Sequence, residues 1–243
     1  MNPPKVILFN GPPRVGKDTA VTLARTDFED AGLSAMNVKF AKELKLRTHA
    51  IVGAYVRPNV SPSGGSHLEL CDRDAPRARI APADFFEADK DKALAVFRGK
   101  TPRESYIGLS EKYFKPMYGV EIFGELLLEN DITSNPTMDS FLISDSGFES
   151  EVMPLMRRYG ADRIKLIRIF REGCDFSKDS RGYLDLSHHG ITTIDVHNPA
   201  PLDCNDPAMM EEYRKAVAAG LMRISPIFSA YACSEPSPSS NVF

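Results

Sequence analysis

Gly11-Pro12-Pro13-Arg14-Val15-Gly16-Lys17-Asp18-Thr19 stands directly after the apolar run Val6-Ile7-Leu8-Phe9. A glycine, four residues, then glycine-lysine is the spacing of a loop that wraps phosphate, and its required context is a strand before and a helix after. Both are present. Val6–Phe9 reads as a buried strand, and Thr19, Ala20, Val21, Leu23, Ala24 and Phe28 carry the apolar spacing of a helix. Gly11 and Gly16 let the backbone curl so that successive N–H groups point at phosphate oxygens. The helix N-terminus adds partial positive charge, and Lys17 supplies a mobile cation for the β- and γ-phosphates. Gly11, Pro12, Arg14, Val15, Gly16, Lys17, Asp18 and Thr19 are therefore the expected binding set for ATP.

The residue after the lysine is usually Ser or Thr, whose hydroxyl binds Mg²⁺; here it is Asp18, with Thr19 next. Asp18 suits Mg²⁺ as a hard oxygen ligand, directly or through water. It reads equally as a first-turn acid on the positive end of the helix, with Thr19 the rival metal ligand. Asp145 closes the apolar run Phe141-Leu142-Ile143-Ser144. A carboxylate there is placed to hold Mg²⁺ or its waters, or to take a proton from an attacking hydroxyl. Its plainer role is a turn acid. Phosphoryl transfer also leans on cations around the moving oxygens. Arg168 and Arg171 flank a strand end, and Arg181 lies in the polar stretch Gly173–Leu186, which has the composition of a closing lid. Lys17, Asp145, Arg171 and Arg181 form the expected catalytic group.

These residues need a frame. Strands are expected at Val6–Phe9, Ser34–Phe40, Phe141–Ser144, Ile164–Phe170 and Ile191–Val196. Helices are expected after Lys17, at Ala41–Val52, at Glu149–Tyr159 closed by Gly160, and from the Asp206 cap and Pro207 to about Met222. Alternating strands and helices imply an α/β fold with a parallel sheet flanked by helices, and ligands at the carboxyl ends of its strands. Between Ala54 and Ile132 a helical insertion is expected: Arg57–Ser66 as loop, then helices at Pro82–Gly99, Pro102–Tyr118 and Val120–Asn130. One domain would run to Cys233, followed by a disordered tail through Ser234–Ser240.

The chain has 243 residues, 42% hydrophobic and 26% charged, with formal charge −3, so broad electrostatic attraction to nucleic acid is not expected. A local basic groove remains compatible with that. Four scattered cysteines form no C-x-x-C pair, which argues against a disulfide framework or a cysteine zinc site. No apolar run reaches membrane-spanning length, and Met1-Asn2-Pro3-Pro4 leads straight into the first strand without room for a signal peptide. A cytoplasmic protein without a membrane partner is the expectation.

The middle region offers Lys100-Thr101-Pro102-Arg103-Glu104-Ser105, two basic residues at a helix start, as an anion site. Tyr106, Lys112, Tyr113, Phe114, Lys115, Tyr118 and Phe123 mix aromatic faces with cations, as a base-stacking groove does and as an ordinary core also does. Arg103, Tyr106 and Lys115 are the expected acceptor-side residues. His188, His189 and His197 with Asp195 suggest a metal cluster only superficially, since no complete ligand set is visible.

Phe9-Asn10-Gly11 through Gly16-Lys17-Asp18-Thr19 resembles the deoxynucleoside monophosphate kinase group of tailed bacteriophages. Phe40-Ala41-Lys42-Glu43-Leu44-Lys45, Thr101-Pro102-Arg103-Glu104, and the closing strand, Asn198 and helix are similar to that group as well. The likeness runs from Lys5 to Met222, strongest at the phosphate loop. Those kinases hold a free nucleotide's phosphate with more than one arginine in the insertion. Here Arg103 is followed instead by Ser110–Gly119 and Phe123-Gly124. That block, Ile143–Phe148 and Arg168–Leu184 look more like a branch of phage P-loop kinases that phosphorylates 5-hydroxymethyluracil within DNA, a step of thymidine hypermodification. The resemblance implies an ATP- and Mg²⁺-dependent kinase with modified DNA as partner. A kinase making dNDPs from free dNMPs is the alternative, and a nucleotide-binding switch without phosphotransfer the second alternative.

Overall fold

The computed structural model describes residues 5–60, 66–177, 179, 181–202 and 206–228. Its strands are β1 (Val6–Asn10), β2 (Ala35–Val38), β3 (Tyr55–Val60), β4 (Ser66–Cys71), β5 (Arg79–Ile80), β6 (Ser140–Ile143), β7 (Ile164–Phe170) and β8 (Thr192–His197). Its α-helices are α1 (Lys17–Asp30), α2 (Ala41–Val52), α3 (Pro102–Leu109), α4 (Lys115–Tyr118), α5 (Ile122–Leu127), α6 (Glu149–Tyr159) and α7 (Pro207–Ile224). The chain divides into two compact units, one of residues 1–39 and 128–243 and one of Phe40–Leu127.

The first unit is built on a five-stranded sheet, order β2-β6-β1-β7-β8, with every pair parallel. Helices flank it, an α/β arrangement consistent with a P-loop NTPase-type fold. Val6, Ile7, Leu8 and Phe9 are wholly buried, which is why β1 is a continuous apolar run rather than an alternating one. Edge strand β8 alternates instead, burying Ile194 and Val196 and turning Asp195 and His197 outward. The chain leaves β1 through α1 toward β2, whereas β6 connects to β7 on the other side of β1. Connections diverging at a central strand open a crevice at its carboxyl end, the place where such sheets bind ligands.

Helix α1 buries Ala20, Val21, Ala24 and Phe28 against this sheet. Helix α7 begins as its sequence requires: the Asp206 carboxylate accepts from the Ala208 N–H at 2.9 Å, with Pro207 at the first turn. It buries Tyr213, Val217, Gly220, Leu221 and Ile224 in the core that α1 also fills. Among the described residues no helix is long and apolar enough to cross a membrane. The expected disordered tail lies outside the described residues.

The second unit corrects the expected helical insertion. It holds a three-stranded antiparallel sheet, order β4-β3-β5, which takes in part of the Arg57–Ser66 stretch expected as loop. Pro58 concealed it. β5 pairs only with Tyr55 and Val56, so beyond that point β3 is an edge strand and a residue without an N–H is tolerated. The expected helix Pro82–Gly99 is also absent. That stretch is a chain of short turns, closed by Phe85 N–H to Pro82 O, Glu87 N–H to Asp84 O and Lys92 N–H to Asp89 O, ending in a 3-10 turn at Ala95–Phe97. Phe86 and Phe97 set its path by packing edge-to-face, 5.0 Å between centroids, in a small core with Ala54, Val56 and Ala81. The expected helix Pro102–Tyr118 is present but broken by a π turn at Ser110–Phe114 between α3 and α4. Thr101 and Glu104 form a reciprocal capping box at the start of α3.

His49 lies buried in that core. One ring nitrogen meets Ala81 O and the other the Tyr106 hydroxyl, both at 2.8 Å, and burial first of all lowers its pKa. Tyr106→Phe removes one partner of a buried imidazole, so it should cost about 1–3 kcal/mol of stability, read by urea unfolding followed by circular dichroism. An unchanged midpoint would show that this hydrogen bond does not hold the unit together.

Candidate phosphate-binding site

The loop between β1 and α1 has the shape its glycines allow. At Gly11, a Cβ would stand 2.7 Å from the Ile169 carbonyl oxygen. At Gly16, with φ +104°, it would stand 2.8 Å from Asn198 Nδ2. Both positions exclude a side chain by space, and Gly16 also by backbone conformation. Tyr213 donates its hydroxyl to Gly16 O at 3.0 Å, and Asn198 Nδ2 donates to Val15 O at 2.9 Å. Arg171 binds three backbone carbonyls: Nε to Ala200 at 2.7 Å, Nη1 to Arg14 at 3.0 Å and Nη2 to Pro201. The loop is thus fastened from the side of β8 and α7.

Asn10 fastens it from the other side. This last residue of β1 is wholly buried, and its Nδ2 donates to Ser146 O at 3.0 Å and to Gly182 O at 3.3 Å. Its Oδ1 accepts from the Leu184 N–H at 3.0 Å, while Ser146 Oγ donates to Phe9 O at 2.8 Å. One amide therefore registers three segments: the end of β1, the loop after β6 that carries Asp145, and the segment that carries Arg181.

Lys17 Nζ donates to Gly11 O and Pro12 O, each at 2.7 Å. Its pKa is lowered to about 8, by burial foremost and by the Arg181 charge, against the opposing pull of Asp18, Asp179 and Asp145. Arg181 is bound to Asp179 through Nε at 2.8 Å and Nη2 at 2.5 Å, and its pKa is raised, by that hydrogen bond foremost. Its stem lies on Gly147, where a Cβ would come within 2.2 Å of Cδ. Asp18 Oδ1 accepts from Lys39 Nζ at 2.9 Å and from Ser144 Oγ at 2.8 Å. Partial desolvation raises its pKa, but those two bonds and the Lys39 and Lys17 charges outweigh it and hold the carboxyl below the usual range. Thr19 follows in the first turn of α1, partly exposed. Asp145, partly exposed, stands close enough for its charge to act on both Lys17 and Arg181.

Beside the loop lies a pocket of about 310 Å³, lined by Pro13, Arg14, Cys174, Asp175, Asp179 and Leu202 among others. The structure therefore brings Lys17, Asp18, Asp145 and Arg181 into one electrostatic cluster, with Arg171 stapling the loop next to it. Arg168 is elsewhere, paired through Nε and Nη2 with Asp195 across β7 and β8. The acceptor-side residues belong to the second unit. Arg103 pairs with Asp91 at 2.6 Å, Lys115 with Glu111 at 2.6 Å, and Tyr106 with His49. Asn10, Ser144, Asp179 and Tyr213 are the contributors that motif reading passes over. Only Asn10 carried a signal, a polar residue ending an otherwise apolar strand.

No family model matches the chain, and no curated protein is significantly similar to it.

Asn10→Ala strands the Leu184 N–H and the Ser146 and Gly182 carbonyls, with a cost of about 1–3 kcal/mol for each group left buried without a partner. The expected result is a markedly lower urea midpoint together with faster amide exchange at Leu184. Exchange at Leu184 equal to that of the native protein would disprove the role given to this amide.

Proposed function

We propose that this chain is an ATP-dependent phosphotransferase of the phage P-loop kinase type, which moves the γ-phosphoryl group of ATP to the hydroxymethyl group of 5-hydroxymethyluracil in DNA. The observation that carries the reading is the gathering of Lys17, Arg181 and Asp145 at a glycine-bounded loop on the carboxyl end of β1. A binding switch needs the loop and its lysine; a second cation and a carboxylate on the same spot are what transfer demands. The neighbouring pocket has the volume of a small-molecule site and supports a nucleoside beside the phosphates.

In this reading the acceptor hydroxyl oxygen attacks the γ-phosphorus and the bond to the bridging oxygen breaks. ADP leaves, and Asp145 takes the hydroxyl proton. Lys17 and Arg181 face the charge that builds on the transferred oxygens. Asp18, Thr19, Ser144 and Asp145 offer hard oxygens, the donor chemistry that fits Mg²⁺. Mg²⁺ held there supplies neutralisation of the β- and γ-phosphate charge. In the second unit Tyr113 and Tyr118 are exposed near Lys112 in sequence, which supports a stacking surface for a DNA base. The cytoplasm, where ATP and DNA meet, is the compartment this reading requires.

One observation favours the dNMP kinase reading instead. The Tyr106 ring packs with His49 and Phe97 rather than being presented for stacking, while Arg103 is held on the surface by an acid that an acceptor phosphate would replace. Labelled ATP with Mg²⁺ decides between them, offered hydroxymethyluracil DNA in one reaction and dNMPs in another. Label in the DNA, lost when thymine replaces the modified base, is the expected result. Label in dNDPs moves the assignment to the nucleotide-pool enzyme, and label in neither overturns both.

Lys17→Ala should abolish transfer, and Asp145→Asn should be at least as severe as Arg181→Ala; a milder Asp145→Asn makes that residue structural. Because the free amine titrates near 8, nucleotide binding should need it protonated. Affinity should then fall about tenfold per pH unit above that point, with uptake of about one proton on binding at pH values above about 9 and little at pH 7. Calorimetry in alkaline buffers of different ionisation enthalpy reads the proton; equal heats in all of them would refute the linkage.

A further inference from the structure

Asp195 and His197, read with the two neighbouring histidines as an incomplete metal set, are engaged elsewhere. Asp195 binds Arg168, and the His197 ring stacks on Phe170 with centroids 5.4 Å apart. The ligand that His188 and His189 lack comes from a distant part of the sequence. Glu149, first residue of α6, places Oε1 at 2.8 Å from His189 Nε2 and 3.2 Å from His188 Nε2. The three ligand atoms lie within 4.8 Å of one another.

The backbone that carries the two histidines is tightly held. Ser187–His189 form a 3-10 turn, closed by His189 N–H to Leu186 O and Gly190 N–H to Ser187 O. The Asp185 carboxylate accepts from the Ser187 N–H at 3.0 Å and from its hydroxyl at 2.6 Å. Buried Leu186 and Ile191 pin the turn at both ends. Both imidazoles then project to the same side, ring centroids 4.0 Å apart, with Nε2 of each toward Glu149.

We propose that Glu149, His188 and His189 form a binding site for a divalent transition-metal ion of the zinc class, separate from the Mg²⁺ chemistry of the phosphate loop. Ligands at about 2.0–2.2 Å from one tetrahedral ion stand roughly 3.3–3.6 Å apart. The His188–Glu149 separation of 3.2 Å nearly meets this, and the His189–Glu149 separation of 2.8 Å has to open by a small side-chain adjustment. With the proton on Nε2 each ring donates to the carboxylate; with the proton on Nδ1 the same nitrogens turn lone pairs inward, and an ion takes the place of the two shared protons. Two imidazoles and one carboxylate select zinc, cobalt or nickel over magnesium, which prefers all-oxygen shells. Glu149 and His188 are about half exposed, so water can complete the shell and the ion can enter from solvent. Bound there, the ion would clip the segment after Arg181 to the helix that follows the Asp145 loop.

Native protein stripped with a chelator and titrated with ZnCl₂ in excess Mg²⁺ tests this, by calorimetry and by the visible spectrum of Co²⁺. The expected result is one equivalent bound, a higher melting temperature with zinc, and at least tenfold weaker binding for Glu149→Gln. That variant keeps a hydrogen-bond acceptor for the rings, so the turn should survive, and circular dichroism checks it. His188→Ala/His189→Ala should lose the site, whereas His67→Ala and His197→Ala should retain it. No binding, binding displaced by Mg²⁺, or equal affinity in native and triad variants would overturn the assignment.

Discussion

The Asn10 side chain is the point on which the arrangement of the site depends. A buried amide costs little when its donors and acceptor are matched and a good deal when they are not, because no water replaces a lost partner. Its Nδ2 has Ser146 O and Gly182 O, and its Oδ1 has the Leu184 N–H. Each of those groups belongs to a loop with no ladder of its own. Moving either loop away from Asn10 leaves its own buried polar group without that partner, so both are held to the end of β1. Asp145 and Arg181 flank these bonded positions in sequence, and their approach to Lys17 follows from that registration.

Opposite Asn10 the loop is gripped through backbone. Tyr213, Asn198 and Arg171 take the carbonyls of Gly16, Val15 and Arg14 in turn. These bonds fix the path of the loop on that side, while Lys17 takes the Gly11 and Pro12 carbonyls at its start. The same grip explains why Gly16 is fixed by space as well as by φ: Asn198 and Tyr213 occupy the volume a Cβ would need. The Lys17 pKa is lowered by burial foremost and then by repulsion from Arg181. In the free protein that repulsion is offset by the Gly11 and Pro12 carbonyls and by Asp179. An incoming polyanion would compete with those partners, so part of its affinity goes into replacing them.

The first unit was legible because its signals are local and agree with one another. Val6–Phe9 is apolar without alternation, the loop has its glycines, Gly160 stops α6, and Asp206-Pro207 starts α7. The second unit was misread where local signals point away from the structure. Pro58 reads as a breaker until the short reach of β5 is known, and that is a fact of pairing, not of propensity. Pro82–Gly99 has enough charge and spacing to imitate a helix, but Phe86 and Phe97 answer to a core that includes His49, far back in the chain. Tyr106 reads as a stacking face for the same reason: its partner cannot be seen from its neighbours.

The formal charge of −3 gives no broad attraction to nucleic acid, so any pull on phosphate has to be local. Ion pairs at the surface account for several cations: Arg168 with Asp195, Arg103 with Asp91, Arg57 with Glu69, Lys45 with Glu87. Such pairs project little field beyond a Debye length. Lys17 differs, since it is half-buried, rests on neutral carbonyls, and stands at the N-terminus of α1. Partial burial weakens screening, so Lys17 and the N-terminus of α1 act on a nearby anion more strongly than the net charge of the chain suggests. What decides whether this protein binds an anion is therefore the geometry that Asn10, Tyr213, Asn198 and Arg171 impose on one loop.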